Sequence, residues 1–101
     1  MSKLVYTAHL YKTVDKSQSI VLYALREGFV PIDPFLTLPP QVLDILELTQ
    51  DERLNLDFDL LSKCDYLWVF GESTKGVKAE IEWWYTNRGH NIRYLDWSEV
   101  P

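Results

Sequence analysis

The run Tyr66–Phe70 (YLWVF) constrains the fold more than any other segment, because it is the most apolar run in the chain. Five aromatic and branched apolar residues in succession predict a buried strand. A strand that is apolar on both faces has to be covered on both sides, as in the interior of a parallel sheet. The run therefore predicts the central strand of an α/β protein.

Further strands and helices are predicted from hydrophobic spacing and from turn residues. Pro31 indicates an edge position for the second strand, because proline cannot donate to a strand ladder. Thr49 and Glu52 have the spacing of a capping box, which predicts a helix start. The predicted strands are Lys3–Ala8, Phe29–Ile32 and Asn91–Leu95, and the predicted helices are Val14–Glu27, Gln41–Leu48, Thr49–Lys63 and Gly76–Asn87.

The resulting order of elements, β-α-β-α-α-β-α-β, predicts a mostly parallel sheet with right-handed crossovers. We expect a small doubly wound parallel sheet with the strand order 2-1-3-4, in three α/β/α layers. A chain of 101 residues has the length of one domain, so residues 1–101 are predicted to form a single unit.

Charge and composition narrow the classes of function. Ten basic and fifteen acidic residues give a net charge of −5, so neither a nucleic acid polymer nor an anionic membrane surface is an expected partner. No stretch is long and apolar enough to cross a bilayer, and the start of the chain lacks a signal-peptide core. Cys64 is the only cysteine, which fits a cytoplasmic location. His9, His90 and Cys64 lack metal-ligand spacing, and no dinucleotide fingerprint follows the first strand, so no metal or cofactor is expected.

The predicted topology also indicates where a ligand would bind. In such a sheet the site lies beyond the carboxyl ends of the strands, where the strand order reverses, here between the first and third strands. The loops Thr7–Tyr11 and Gly71–Lys75 are expected to meet there. The second loop begins a helix whose first N–H groups can bind an anion, and Gly76 lets a ligand approach the backbone closely.

Two carboxylates are candidates for the chemistry of that site. Glu80 follows Gly76 by one helical turn and shares its face. Asp57 shares a predicted helix face with two leucines, and a carboxylate on an apolar face needs a partner or a function. The alternative for each is an ordinary solvated face, because Glu82 and Asp59 stand beside them in the sequence.

Four segments occur in a particular order and spacing: Leu4–Ala8 (LVYTA), Phe29–Pro34 (FVPIDP), Asp57-x7-Asp65 continuing through YLWVFG, and Gly76-x-x-x-Glu80. Together they resemble the nucleoside 2-deoxyribosyltransferase superfamily, especially a small uncharacterised branch, over Lys3–Leu95. The resemblance implies a flavodoxin-like or Rossmann-like fold, in agreement with the predicted sheet. It also implies cleavage or transfer of the N-glycosidic bond of a deoxynucleoside or nucleotide.

The resemblance implies a role for each candidate residue. Glu80 matches the glutamate nucleophile, and Asp57 matches the aspartate that contacts or protonates the base. A phosphate held by Lys75 and the helix start would make a nucleotide a better ligand than a nucleoside. The residues expected to contact substrate are Tyr6, His9 and Tyr11 at the end of the first strand, Asp33 and Phe35 in the base-contacting turn, and Ser73, Lys75 and Gly76 at the helix start.

Three functions follow as hypotheses: an N-glycosidase or deoxyribosyltransferase, a nucleotide-binding module without turnover, and a homo-oligomeric assembly protein. The third rests on the tryptophans in the last third of the chain. Trp83 and Trp84 point about 100° apart on a helix, so one can face the sheet while the other lies towards the surface. We expect a homo-oligomer that forms through one of these two residues or through Trp97 and the C-terminal tail.

Overall fold

The computed structural model of the chain describes residues 3–100. In this range the strands β1 (Lys3–Ala8), β2 (Phe29–Ile32), β3 (Tyr66–Phe70) and β4 (Ile92–Leu95) form one sheet in the order β2-β1-β3-β4. Each neighbouring pair is parallel. The predicted doubly wound sheet of order 2-1-3-4 is confirmed, with β2 at an edge and β3 in the interior.

Helices cover both faces of the sheet. They are α1 (Ser17–Arg26), α2 (Pro34–Thr37), α3 (Pro40–Ile45), α4 (Gln50–Ser62) and α5 (Lys75–Asn87), and the 3₁₀ segments are Tyr11–Lys16 and Trp97–Glu99. On one face, Ile20 of α1 packs in a buried cluster with Val5 and Phe70. On the other face, Leu61 of α4 and Trp84 of α5 pack in a second buried cluster.

The start of α1 differs from the prediction. A helix was expected from Val14, but α1 begins at Ser17 after the 3₁₀ segment Tyr11–Lys16. Within that segment Thr13 has φ −105° and ψ 20°, and its hydroxyl donates to the carbonyl of Leu10 at 2.7 Å. A side chain that bonds to the nearby backbone in this way competes with helix formation, which explains the later start.

The sequence predicts a proline-rich loop over Asp33–Pro40, but this segment contains the short helix α2. The helix predicted over Gln41–Leu48 is present as α3, which begins one residue earlier, at Pro40. The prolines at residues 34 and 40 stand in the first turns of α2 and α3, where a missing N–H costs nothing. Asp33 is the N-cap of α2, and its side chain accepts a hydrogen bond from the backbone N–H of Phe35 at 3.0 Å. These helices form one wall of the cleft described below.

The predicted start of α4 is confirmed. The N–H of Glu52 donates to the hydroxyl oxygen of Thr49 at 3.2 Å, and the N–H of Thr49 donates to the carboxylate of Glu52 at 2.9 Å. This reciprocal capping box fixes where the helix begins. It therefore also fixes which residues of α4 face the sheet.

The prediction that one of the adjacent tryptophans faces the sheet is confirmed. Trp84 is fully buried, whereas Trp83 is half-buried and stacks on Phe58 with ring centroids 6.0 Å apart. Trp97 stacks on Phe70 of the same chain. The predicted tail ends at Pro101, which lies outside the described residues. Within residues 3–100 no helix has both the length and the apolarity of a membrane span.

Candidate active site

A cleft opens at the carboxyl end of β1. It consists of two adjoining cavities of about 420 and about 230 Å³, the larger of which is in the size range of small-molecule sites. Residues that follow β1 and residues that follow β3 both line it, so it lies where the topology predicted a site. The side chains that line both cavities are His9, Tyr11, Phe35, Gln50, Arg53, Asp57 and Glu80.

Glu80 lies in the buried part of the cleft. It is one of three buried residues of α5, with Val77 and Trp84, and this spacing of three and four residues forms one helix face. Only 6% of Glu80 is exposed. The hydroxyl of Tyr6 in β1 donates a hydrogen bond to Oε2 of Glu80. The interior strand β1 thus fixes the position of the Glu80 carboxyl group through Tyr6.

Asp57 of α4 lines the same two cavities and is half-buried. Burial raises the pKa of Asp57 to about 6, against a smaller lowering by the hydroxyl of Tyr6. Burial raises the pKa of Glu80 to about 8, the hydrogen bond from Tyr6 lowers it in part, and the nearby charge of Asp57 raises it further. The charge of Asp57 therefore reaches Glu80, and the two carboxyl groups, which line the same cavities, form a pair.

This pair can perform acid and base chemistry near neutral pH. Between about pH 6 and pH 8 it holds one proton and one negative charge. One member can then donate a proton to a leaving group while the other stabilises positive charge or attacks as a nucleophile. Water is partly excluded from a cleft of this kind, which strengthens both effects.

Asp33 lies beside the cleft in a buried polar network, not on its surface. Its Oδ2 accepts from Nε2 of His9 at 2.7 Å and from the hydroxyl of Thr7 at 3.1 Å, and its Oδ1 accepts from the hydroxyl of Ser17 at 3.2 Å. Nδ1 of His9 contacts the hydroxyl oxygen of Thr13 at 2.9 Å. His9 therefore reaches the cleft with both ring nitrogens already engaged, which fits a role in holding the wall.

Aromatic rings flank the mouth of the cleft. Phe35 of α2 packs edge-on against His9, with centroids 4.9 Å apart, and against Tyr11, with centroids 5.6 Å apart. Tyr11 is 60% exposed, so much of its ring is available to a ligand. Aromatic faces of this kind can stack on a planar ring.

The structure brings most of the predicted site residues together but not all of them. Glu80, Asp57, His9, Tyr11 and Phe35 line both cavities, and Gly76 lines the smaller one. Tyr6 and Asp33 lie buried behind the surface, where they bond to Glu80 and His9 respectively. Ser73 and Lys75 are not among the described residues that line either cavity.

Arg53 and Gln50 were missed by the sequence analysis, although they line both cavities. They precede Asp57 by four and seven residues, so all three share one face of α4. The spacing was available as a signal once Asp57 had been selected. A charged helix start is usually a solvated surface, so this spacing alone does not distinguish a residue of a cleft.

Among the described residues, two other hollows are larger than either cavity of the cleft. One, of about 650 Å³, lies beside Trp97 and the ends of β3 and β4, and the other, of about 440 Å³, is a shallow groove along the outer face of α5. Neither is lined by a buried carboxyl group with a raised pKa. The cleft at Glu80 is therefore the stronger candidate for chemistry.

Comparisons with known proteins give one match. A protein-family model described as "Domain of unknown function (DUF7768)" matches residues 4–95. No curated protein and no solved structure matches the chain. The matched range runs from β1 to the end of β4 and includes every residue that lines the cleft.

Proposed function

The chain belongs to the DUF7768 family, a domain family of unknown function, and for this member we propose cleavage or transfer of the N-glycosidic bond of a nucleoside or nucleotide. One observation carries the proposal: Glu80 and Asp57, two acids of raised pKa, line one cleft, and the buried one is held by Tyr6. The sequence resemblance to nucleoside 2-deoxyribosyltransferases assigns its nucleophile and its acid to the same two residues.

In the first step, a carboxylate oxygen of Glu80 bonds to C1′ of the sugar while the C1′–N bond breaks. The electron pair of that bond passes to the nitrogen of the base, which receives the proton of the Asp57 carboxyl group. In the second step, water or a second base attacks C1′, and the bond to Glu80 breaks. The carboxylate of Asp57 then takes the proton of the attacking group, so both acids return to their starting state.

The raised pKa values set the working range of this mechanism. Between about pH 6 and pH 8 the free cleft holds its one proton mainly on Glu80, the acid of higher pKa. The reactive form is the minor one, in which that proton lies on Asp57 and Glu80 is ionised. Positive charge that develops on the sugar stabilises the ionised Glu80, which offsets the cost of its burial. We therefore expect a bell-shaped dependence of kcat/KM on pH, with limbs near 6 and 8.

The aromatic walls and the size of the cleft support a substrate with a planar ring. Phe35 and the exposed ring of Tyr11 offer stacking surfaces at the mouth. The base would lie between these rings and Asp57, and the sugar would lie deeper, at Glu80. This arrangement places the bond to be broken between the two acids.

The test is release of free base from a panel of deoxynucleosides and deoxynucleoside 5′-monophosphates, detected by chromatography. We expect Glu80→Gln and Asp57→Asn to lower the rate by at least about 100-fold. Glu82→Gln and Asp59→Asn make the same chemical changes at exposed positions of the same helices and should retain the wild-type rate. Binding of panel members without release of base by the wild type would contradict the proposal and favour a binding module.

A further inference from the structure

Arg53 is the only lysine or arginine among the described residues that line the two cavities of the cleft. Lys75, the cation expected from the sequence to hold a phosphate, is exposed and lines neither cavity. The remaining ionisable groups on the cleft surface are mostly acids. Among the described lining residues, a negatively charged group of a ligand would therefore meet a permanent positive charge at Arg53 alone.

The guanidinium of Arg53 is held in place by the protein. Its Nε donates to the carbonyl of Leu48 at 3.2 Å, and its Nη2 donates to Oδ1 of Asp44 at 2.5 Å. Nη1 makes no hydrogen bond within the part of the chain that the structure describes. An arginine fixed in this way loses little side-chain entropy when it binds a further acceptor.

The bond to Asp44 does not prevent that role. The side chain of Asp44 is 69% exposed, and an ion pair of this kind is worth little in water. A phosphate offers several oxygens to the planar guanidinium and forms stronger, two-pronged hydrogen bonds. A phosphate can therefore replace Asp44 as the partner of Arg53 or share the guanidinium with it.

The position of Arg53 relates it to the reacting centre. It lies four residues before Asp57, which is about 6 Å along the helix axis. Because α4 precedes β3 in a parallel sheet, its first turn lies at the carboxyl end of the strands, nearer the mouth than Asp57. A ligand with its glycosidic bond at the two acids would thus extend towards Arg53 at the mouth.

We infer that Arg53 is the anion-binding residue of the cleft and that its ligand is a nucleoside 5′-monophosphate in preference to a nucleoside. The inference rests on the proposed function for the nucleoside part of the ligand. The protonated state of Glu80 near pH 7 is consistent with it, because the cleft then carries less negative charge than its acids would otherwise give.

The test measures binding by calorimetry in the full chain carrying Glu80→Gln, which prevents turnover. Each deoxynucleoside is compared with its 5′-monophosphate, and inorganic phosphate is titrated alone to identify binding that needs no nucleoside. We expect the monophosphate to bind at least tenfold more tightly than the nucleoside. Arg53→Gln should remove that preference and change the affinity for the nucleoside less than threefold.

Three further variants make the test specific. Asp44→Asn removes the competing carboxylate without changing Arg53, so it should tighten the binding of the monophosphate several-fold, and it also serves if Arg53→Gln does not fold. Arg26→Gln, the same substitution at an exposed position of α1, should change nothing. Loss of the preference in Lys75→Gln instead of Arg53→Gln would overturn the inference.

Other outcomes separate this inference from the proposed function. Equal affinity for nucleosides and monophosphates, or an equal loss of both in Arg53→Gln, would mean that Arg53 only ties α3 to α4. If base is released equally from both classes, the proposed function stands and the inference fails. If the Arg53-dependent preference is present while the wild type releases no base, the inference stands and the proposed function fails.

Discussion

Glu80 and Glu82 lie two residues apart on α5, yet their surroundings differ in every respect that matters for chemistry. Glu82 is exposed, whereas Glu80 faces the sheet and bonds to the hydroxyl of Tyr6. Burial makes ionisation of Glu80 costly, and its raised pKa measures that cost. A buried carboxylate of this kind lowers the stability of the fold in the pH range where it ionises.

Replacing Glu80 by Gln should therefore stabilise the protein in a pH-dependent way. The folded-state pKa of about 8 lies above the ordinary value of 4.5, so the contribution of Glu80 to stability is complete below about pH 4.5 and is lost as the pH rises through about 8. Urea unfolding should show little difference between wild type and Glu80→Gln at pH 5, and a gain of about 2–4 kcal/mol for the variant at pH 9.

The control for this measurement is Glu82→Gln, which should stay within about 0.5 kcal/mol of the wild type at both pH values. If the free energies of unfolding of Glu80→Gln and wild type differ by the same amount at pH 5 and at pH 9, Glu80 has an ordinary pKa. That result would also remove the basis for the expected alkaline limb of the activity profile.

At the scale of elements, the wall formed by α2 depends on one side chain. A helix of four residues is only about one turn long, so it is not stable on its own. Asp33 compensates by capping α2 and by accepting hydrogen bonds from the side chains of Thr7, His9 and Ser17. The network therefore attaches α2 to β1 and to α1, and it positions Phe35 at the cleft.

Asp33→Ala should destabilise the protein by about 3–5 kcal/mol in urea unfolding, because it leaves several buried donors without an acceptor. Asp33→Asn retains an oxygen for the helix cap and should lose less. Asp59→Ala removes an exposed carboxylate from α4 and should change stability by less than about 0.5 kcal/mol. A loss below about 1 kcal/mol for Asp33→Ala would mean that the network contributes little to the wall.

At the scale of the whole molecule, the outer face of α5 is the surface on which the expected self-association can be tested. Trp84 is buried and cannot contribute, whereas Trp83 is half-buried and Tyr85 is 51% exposed. A shallow groove lined by Ile81 and Tyr85 runs along this face. The net charge of −5 opposes association of two copies, and salt screens that repulsion.

We predict a homodimer with Trp83 at its contact. Light scattering at micromolar concentration should give twice the mass of 11.9 kDa, with the dimer favoured by added salt. Trp83→Gln should shift the protein towards the monomer. Leu25→Gln, which alters an exposed apolar residue of α1 on the opposite face of the sheet, should not. A monomer mass for the wild type at all salt concentrations would exclude this contact.

The sequence by itself determined the four strands of the described residues, their order along the chain and four of the five α-helices. Local patterns carry that information: the apolar run Tyr66–Phe70, the capping box at Thr49 and the proline in β2 each act over a few residues. The same local reasoning placed Glu80 one turn beyond Gly76 and selected Asp57 on its helix face. It missed α2, because proline is typical both of loops and of the first turn of a helix.

Only the tertiary structure decided the chemistry of the cleft. Tyr6 and Glu80 are 74 residues apart, and His9 and Asp33 are 24 apart, so no local pattern relates them. The pKa of Glu80 depends on how much water the surrounding elements remove, and the position of Arg53 in the cleft depends on how α4 packs beside α3. Burial and contact between distant segments exist only after the chain has folded. Residue spacing could therefore identify the two candidate acids, but not their hydrogen-bond partners or their pKa values.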